Sequence, residues 1–273
     1  MLYNKLDNTT RKWWFYTLFI ALQFLIPPFA SHNFSFNNWG DMVSHTLSHS
    51  FSMDIRHIYP YGQYVLIAFL LCWLIFGNKI KQIINILIAL SVLLFMLIQN
   101  IAITEKYGFS MVTLNIILFL MVALVWFYDL KEQKNTFSPP KPMVLHIILI
   151  LAVVFTLWTP VHWNPISPDF SPNNFFINGS AFQFCMMIPL YLSMLLFSFP
   201  KVNLVTLRIT VLVGLTIGQY NLAFYFIFIP EMWWMGIMHL PLFLISLYAF
   251  FKSFKLPQAA PLQASSLKND AEK

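Results

Sequence analysis

QYNLAFYFIFIP (Gln219–Pro230), a single carboxylate at Glu231, then MWWMGIMHLPLFL (Met232–Leu244) is the stretch that decides the fold. Two apolar runs sit back to back with a charged break between them, and each carries isolated polar groups: Gln219 and Asn221 in the first, His239 in the second. Runs of this kind read as membrane helices joined by a short turn, because about 20 apolar residues at 1.5 Å rise span a hydrocarbon core. Gln99–Leu120 repeats the pattern more weakly, with Gln99, Asn100 and Asn115 as its polar groups.

Composition extends that reading to the whole chain. Of 273 residues, 59% are hydrophobic, 18% aromatic and 10% charged, where a soluble domain carries about 25% charged residues. Lipid is therefore the solvent, and the length accommodates about eight spans with short connections. Apolar runs lie at about 13–30, 58–77, 83–104, 108–128, 143–160, 182–199, 209–229 and 232–251. The fold class expected is an all-α, polytopic integral membrane bundle.

A net charge of +6 does not imply nucleic acid, since the basic residues stand in ones and twos at the ends of apolar runs. With a cytoplasmic N-terminus, 14 of the 16 Lys and Arg fall on the inside and only Arg56 and Lys106 outside. That bias predicts a plasma-membrane protein with both termini cytoplasmic. Trp13, Trp14, Trp126, Trp158, Trp233 and Trp234 near span ends read as interfacial belts. The first run, long and ending in Pro27-Pro28, reads as an uncleaved anchor.

The organisation expected is a first four-helix half over 1–128 with an outer loop at 31–57, and a cytoplasmic linker at 129–142. A second four-helix half follows over 143–251 with an outer loop at 161–181, then a disordered polar tail at 252–273. The halves share a loop rhythm, and MVTLNIILFL (Met111–Leu120) aligns with MGIMHLPLFL (Met235–Leu244), pairing Asn115 with His239. A parallel 4+4 repeat would bring spans three, four, seven and eight together; chance alignment of two Leu/Phe-rich helices is the competing explanation. Gly214 and Gly218 form a small-xxx-small pair suited to close helix approach.

Two candidate sites follow. Polar groups in a span cannot face lipid cheaply, so His239, Asn115, Asn221, Asn100, Gln219 and Gln99 should line either helix contacts or a ligand cavity open to the outside. The outer loop offers Asp41, His45 and His49 at i, i+4, i+8, with His57, His32 and His162 in reach, a set suited to a transition metal or to haem ligation. Cys72 and Cys185 sit in apolar runs and read as small buried hydrophobes rather than a disulfide. None of the ten carboxylates falls inside an expected span, which speaks against ion-coupled transport.

Three functions are consistent with these residues. The leading one is binding or passage of a small apolar or neutral ligand through an outward-facing cavity. The others are a cofactor enzyme at the outer face and an accessory subunit packing against other membrane proteins.

Overall fold

The computed structural model describes residues 2–163 and 166–255. The chain begins with α1 (Leu2–Thr9), α2 (Trp13–Leu25), β1 (Phe29–Ala30), α3 (Trp39–Ser48), α4 (Phe51–Asp54) and α5 (Tyr59–Phe76). It continues through α6 (Lys81–Asn100), the hairpin β2 (Ile101–Thr104) and β3 (Gly108–Met111), α7 (Thr113–Glu132) and α8 (Val144–Trp158). After β4 (Val161–Trp163) and β5 (Ile166–Pro168) come α9 (Asn174–Ile177), α10 (Phe184–Ser198), α11 (Leu204–Ala223) and α12 (Trp233–Phe254).

Among the described residues, four segments are long and apolar enough to cross a bilayer: Arg56–Asn100, Thr113–Glu132, Leu204–Phe228 and Pro230–Phe254. A fifth counts if the pair Asn174–Phe182 and Phe184–Ser198, bent by 87°, is one broken span. The first segment is two helices, α5 and α6, parted at Gly77, whose φ of 50° glycine adopts without strain. Val65 and Leu87 line one cavity between them, so α6 turns back along α5. The shorter apolar helices α2 and α8 have 13 and 15 residues. A helical membrane protein is what these lengths and compositions support.

Packing centres on α10, where every residue except Cys185 is buried. Around it α6 pairs with α7 and α11 with α12, while α7 also lies on α11, and α8 touches α10 and α12. The Gly214/Gly218 pair seats α11 against α12 within the same chain: a Cβ at Gly218 would lie 3.2 Å from Phe243, and one at Gly214 would strike Ser246. Helices α5 and α10 are not alike, since α10 is enclosed whereas α5 buries only Tyr59, Gln63, Leu66 and Trp73.

The connections gather at two ends. At the basic end, Thr136 N–H donates to the Lys201 carbonyl (3.2 Å), Ser138 N–H to Ser198 Oγ (2.7 Å), and Phe137 N–H to Asn78 Oδ1 (3.3 Å). At the other, the sheet end, β1 pairs antiparallel with β3 and β3 with β2, joining the chain after α2 to the turn between α6 and α7.

Several expectations are corrected. Residues 101–111 are a β-hairpin rather than helix, because Ile101 and Ile103 alternate and Gly108 turns the chain at φ 62°. Helix α7 runs on to Glu132, where Gln133 closes it in the left-handed conformation (φ 52°), so the carboxylate of Asp129 does lie inside a long apolar helix. The linker is strapped down, with Asn135 and Phe137 fully buried. Trp126 belongs to the core and donates to Thr210 Oγ1 (3.0 Å) instead of joining a belt. Cys72 is exposed and Cys185 partly so; both thiols are free. Helix α12 reaches Phe254, and the rest of the expected tail lies outside the described residues.

Candidate functional site

Four groups of polar side chains compete for a functional reading, and their hydrogen-bond accounts separate them. The first is a knot at the basic end. Asp129, with no exposed surface, accepts from Asn85 Nδ2 (2.9 Å) and Asn203 Nδ2 (2.7 Å) and from the backbone N–H groups of Lys134 and Asn135 (both 3.1 Å). Asn135 Nδ2 donates to Asn85 Oδ1 (3.2 Å), and Asn135 Oδ1 accepts from Asn203 N–H (2.8 Å). Asn203 Oδ1 then caps α11 by accepting from Val205 and Thr206 N–H. Every contact on the carboxylate is a donor, so nothing is left for a ligand.

Arg208 makes the second group and ties α1 to the bundle. Its Nη1 meets Asp7 Oδ1 at 2.6 Å and Thr10 Oγ1 at 3.2 Å, and Nη2 donates to the Ser253 carbonyl at 3.0 Å.

The third group staples the sheet end. Gln63 Nε2 donates to Ser180 Oγ (2.6 Å) and to Asn178 Oδ1, while Asn178 Nδ2 donates to the carbonyls of Leu157 and Trp158 (both 2.8 Å). Gln99 Nε2 donates to the Phe182 carbonyl (2.5 Å), and its Oε1 accepts from Phe184 N–H (3.3 Å), satisfying an orphan donor at the start of α10. Asn100 Nδ2 returns to the carbonyls of Phe95 and Met96, and Asn115 Nδ2 donates to Asn100 Oδ1 (2.9 Å). Asn115 is thus three residues into α7, closing the hairpin, rather than deep in a span. Gln219 is exposed.

The loop residues Asp41, His45, His49 and His57 do not converge. Asp41 holds Lys106 (2.7 Å) and accepts from Tyr107 Oη. His45 stacks on His49 at 4.2 Å and meets the Tyr107 ring edge-on at 5.2 Å, while His57 is exposed on a separate turn. Among the described residues, no group of three His, Cys, Asp or Glu side chains is placed to hold a metal ion. Hydrogen bonds from Lys106 and then Tyr107 hold the Asp41 carboxyl below its ordinary range. Burial, then the neighbouring His49, holds the His45 imidazole below its own.

The fourth group lies where α10, α11 and α12 meet towards the sheet end. Helix α11 loosens there into a π-helical turn, Phe224–Phe228, a geometry that often accompanies function. Tyr225 from that turn stacks on buried His239 of α12 at 5.5 Å and 26°. A Cβ at Gly236 would lie 2.8 Å from the Phe226 ring, so the glycine lets this turn press onto α12. Met235, Met238 and Val161 pack together beside this turn, with Phe155, Tyr225, Met232 and Trp234 against them. One turn before Tyr225, Asn221 Nδ2 donates to the Ile217 carbonyl (2.8 Å) and to Cys185 Sγ (3.6 Å), on the one residue of α10 that is not buried.

These side chains keep unspent capacity. His239 Nδ1 lies 2.8 Å from the Met235 carbonyl; a carbonyl only accepts, so Nδ1 carries the proton and Nε2 presents a lone pair. Among the described residues nothing donates to His239 Nε2 or Asn221 Oδ1, and the Tyr225 hydroxyl and Cys185 thiol donate to nothing. Acceptors and donors therefore lie among Met and aromatic side chains, the mixture that small-molecule sites use. Sequence reasoning found His239 and Asn221 but missed Tyr225 and Cys185. The available signal for Tyr225 was its place one helical turn after Asn221; Cys185, 36 residues away on another helix, gave none.

No family model matches the chain, and neither a curated protein nor a solved structure matches it.

Proposed function

We propose that the protein crosses the plasma membrane eight times with both termini cytoplasmic, and binds or passes a small neutral ligand at the site formed by His239, Tyr225, Asn221 and Cys185. The observation that carries the site is the gathering of His239, Tyr225, Asn221 and Cys185, each with hydrogen-bonding capacity left over, beside a π-helical turn. A ligand with one N–H or O–H donor and an apolar body matches His239 Nε2 and the surrounding Met and aromatic side chains.

The contacts at the two ends support the crossing number. Thr10 meets Arg208 at the basic end and Ala30 pairs with Ser110 at the sheet end, so α2 leads from one end to the other despite its length. Likewise Ser138 and Ser198 meet at one end, and the residues after α8 meet Gln63 and Gln99 at the other. Lys79, Lys81, Lys131, Lys134, Lys141 and Lys201 all belong to the basic end, which the positive-inside rule places in the cytoplasm.

A thermal-shift panel of small amides, alcohols and ureas on purified protein tests the binding reading. At least one compound should stabilise the wild type and lose that effect in His239→Ala and Asn221→Ala. Equal stabilisation of all three proteins would contradict the site.

A further inference from the structure

Between helices α5 and α6 lies an open groove of about 350 Å³ lined by apolar side chains and one thiol. Val65, Ala68, Cys72 and Phe76 supply one wall at helical spacing, and Ile80, Ile83 and Leu87 the other. These walls are not core: Val65 is 69% exposed, Phe76 49% and Ile83 55%. The eleven steps of α5 from Val65 to Phe76, at 1.5 Å each, make the groove about 16 Å long, near half the hydrocarbon thickness and so one leaflet deep.

A second cavity of about 210 Å³ continues from it, sharing Ile80 and Ile83 and adding Asn78, Lys79, Lys81 and Gln82. Neither lysine has a carboxylate partner among the described residues; Lys81 Nζ reaches only the Gln133 carbonyl, at 3.2 Å. An apolar slot one leaflet deep, ending in two uncompensated ammonium groups and two amides at the membrane edge, has the layout of one lipid chain and its phosphate.

We propose that this groove is a binding site for an anionic phospholipid, with an acyl chain between α5 and α6 and the phosphate on Lys79 and Lys81. The chemistry is that of basic pockets between membrane helices that hold acidic headgroups.

Native mass spectrometry on detergent-purified protein titrated with phosphatidylglycerol or phosphatidylcholine of equal chain length tests this. One phosphatidylglycerol should bind at least 10-fold more tightly than phosphatidylcholine. Lys79→Gln with Lys81→Gln should reduce that preference to about twofold or less, and Cys72→Trp, at an exposed position, should weaken both lipids by filling the slot. Equal affinity of the wild type for both lipids would overturn the proposal, as would an unchanged preference in the double lysine variant. Loss of a dimer rather than of lipid in Cys72→Trp would also overturn it. If Cys72→Trp fails to fold, the lysine variant decides alone.

Discussion

The knot around Asp129 and the cluster around His239 are both polar, both in apolar helices and at opposite ends of the bundle, yet their chemistry differs in kind. In the knot four donors meet one carboxylate and three asparagines answer each other, so every partner is internal. In the cluster His239 has one bond to its own helix and one aromatic neighbour. Saturation marks a group that holds helices in place, and unspent capacity marks one that can receive something else. Polarity within a span, taken alone, does not distinguish them.

Mutations should divide along that line. Asp129→Ala strands the amides of Asn85 and Asn203 and two backbone N–H groups in a buried site, and should cost about 3–4 kcal/mol. Thermal unfolding in a fixed detergent would show it; a loss under about 1 kcal/mol would mean that water already shares the knot. Asn178→Ala breaks the staple among α5, α8 and the turn before α10, and should cost about 2 kcal/mol in the same assay. Trp126→Phe removes only the bond to Thr210 and should cost about 1 kcal/mol. None of the three should alter ligand-dependent stabilisation, whereas His239→Ala should abolish it.

The smallest expected effect is a pH response of the sheet end. His45 has a folded pKa below its ordinary value of 6.5 because of burial and then His49, with Lys106 acting in the same direction and Asp41 opposing. The folded state resists protonation that the unfolded chain accepts, so stability present above pH 6.5 declines as pH falls below it. Asp41, also depressed, adds a further loss only as pH falls through the carboxylate range. Hydrogen exchange over 39–48 should therefore quicken below pH 6.5, and His45→Gln should flatten the change. An acid response unchanged in that variant would assign the effect elsewhere.

The long apolar helices were legible in the sequence because lipid demands long apolar runs: α2, α5–α8 and α10–α12 match the expected runs to within several residues at each end, whereas α1, α3, α4 and α9 lie outside them. The polar residues were less legible. Asp129 sits one residue past the point where the apolar run stops at Tyr128, so hydropathy places it outside, while the backbone continues to Gln133. Asn85 lies near the start of one helix and Asn135 and Asn203 lie in two different connections; only folding brings them together. Gln99, Asn100 and Asn115 were visible as polar groups in spans, but the signal could not say that a hairpin and the start of α10 already use them. Tyr225 was hidden in an aromatic run until the π-helical turn rotated it onto His239.

The most direct measurement is the access of Cys185 from outside. In a Cys72→Ser background, intact cells would be treated with a membrane-impermeant cationic methanethiosulfonate, with Phe36→Cys, also in Cys185→Ser, as the exposed control. Labelling of Cys185 at a rate within about 100-fold of the control, slowed by any compound found to stabilise the protein, is the result expected of an outward-opening site. A Cys185 that reacts with a permeant maleimide but never with the impermeant reagent would contradict an outward-facing ligand site and leave His239 as packing.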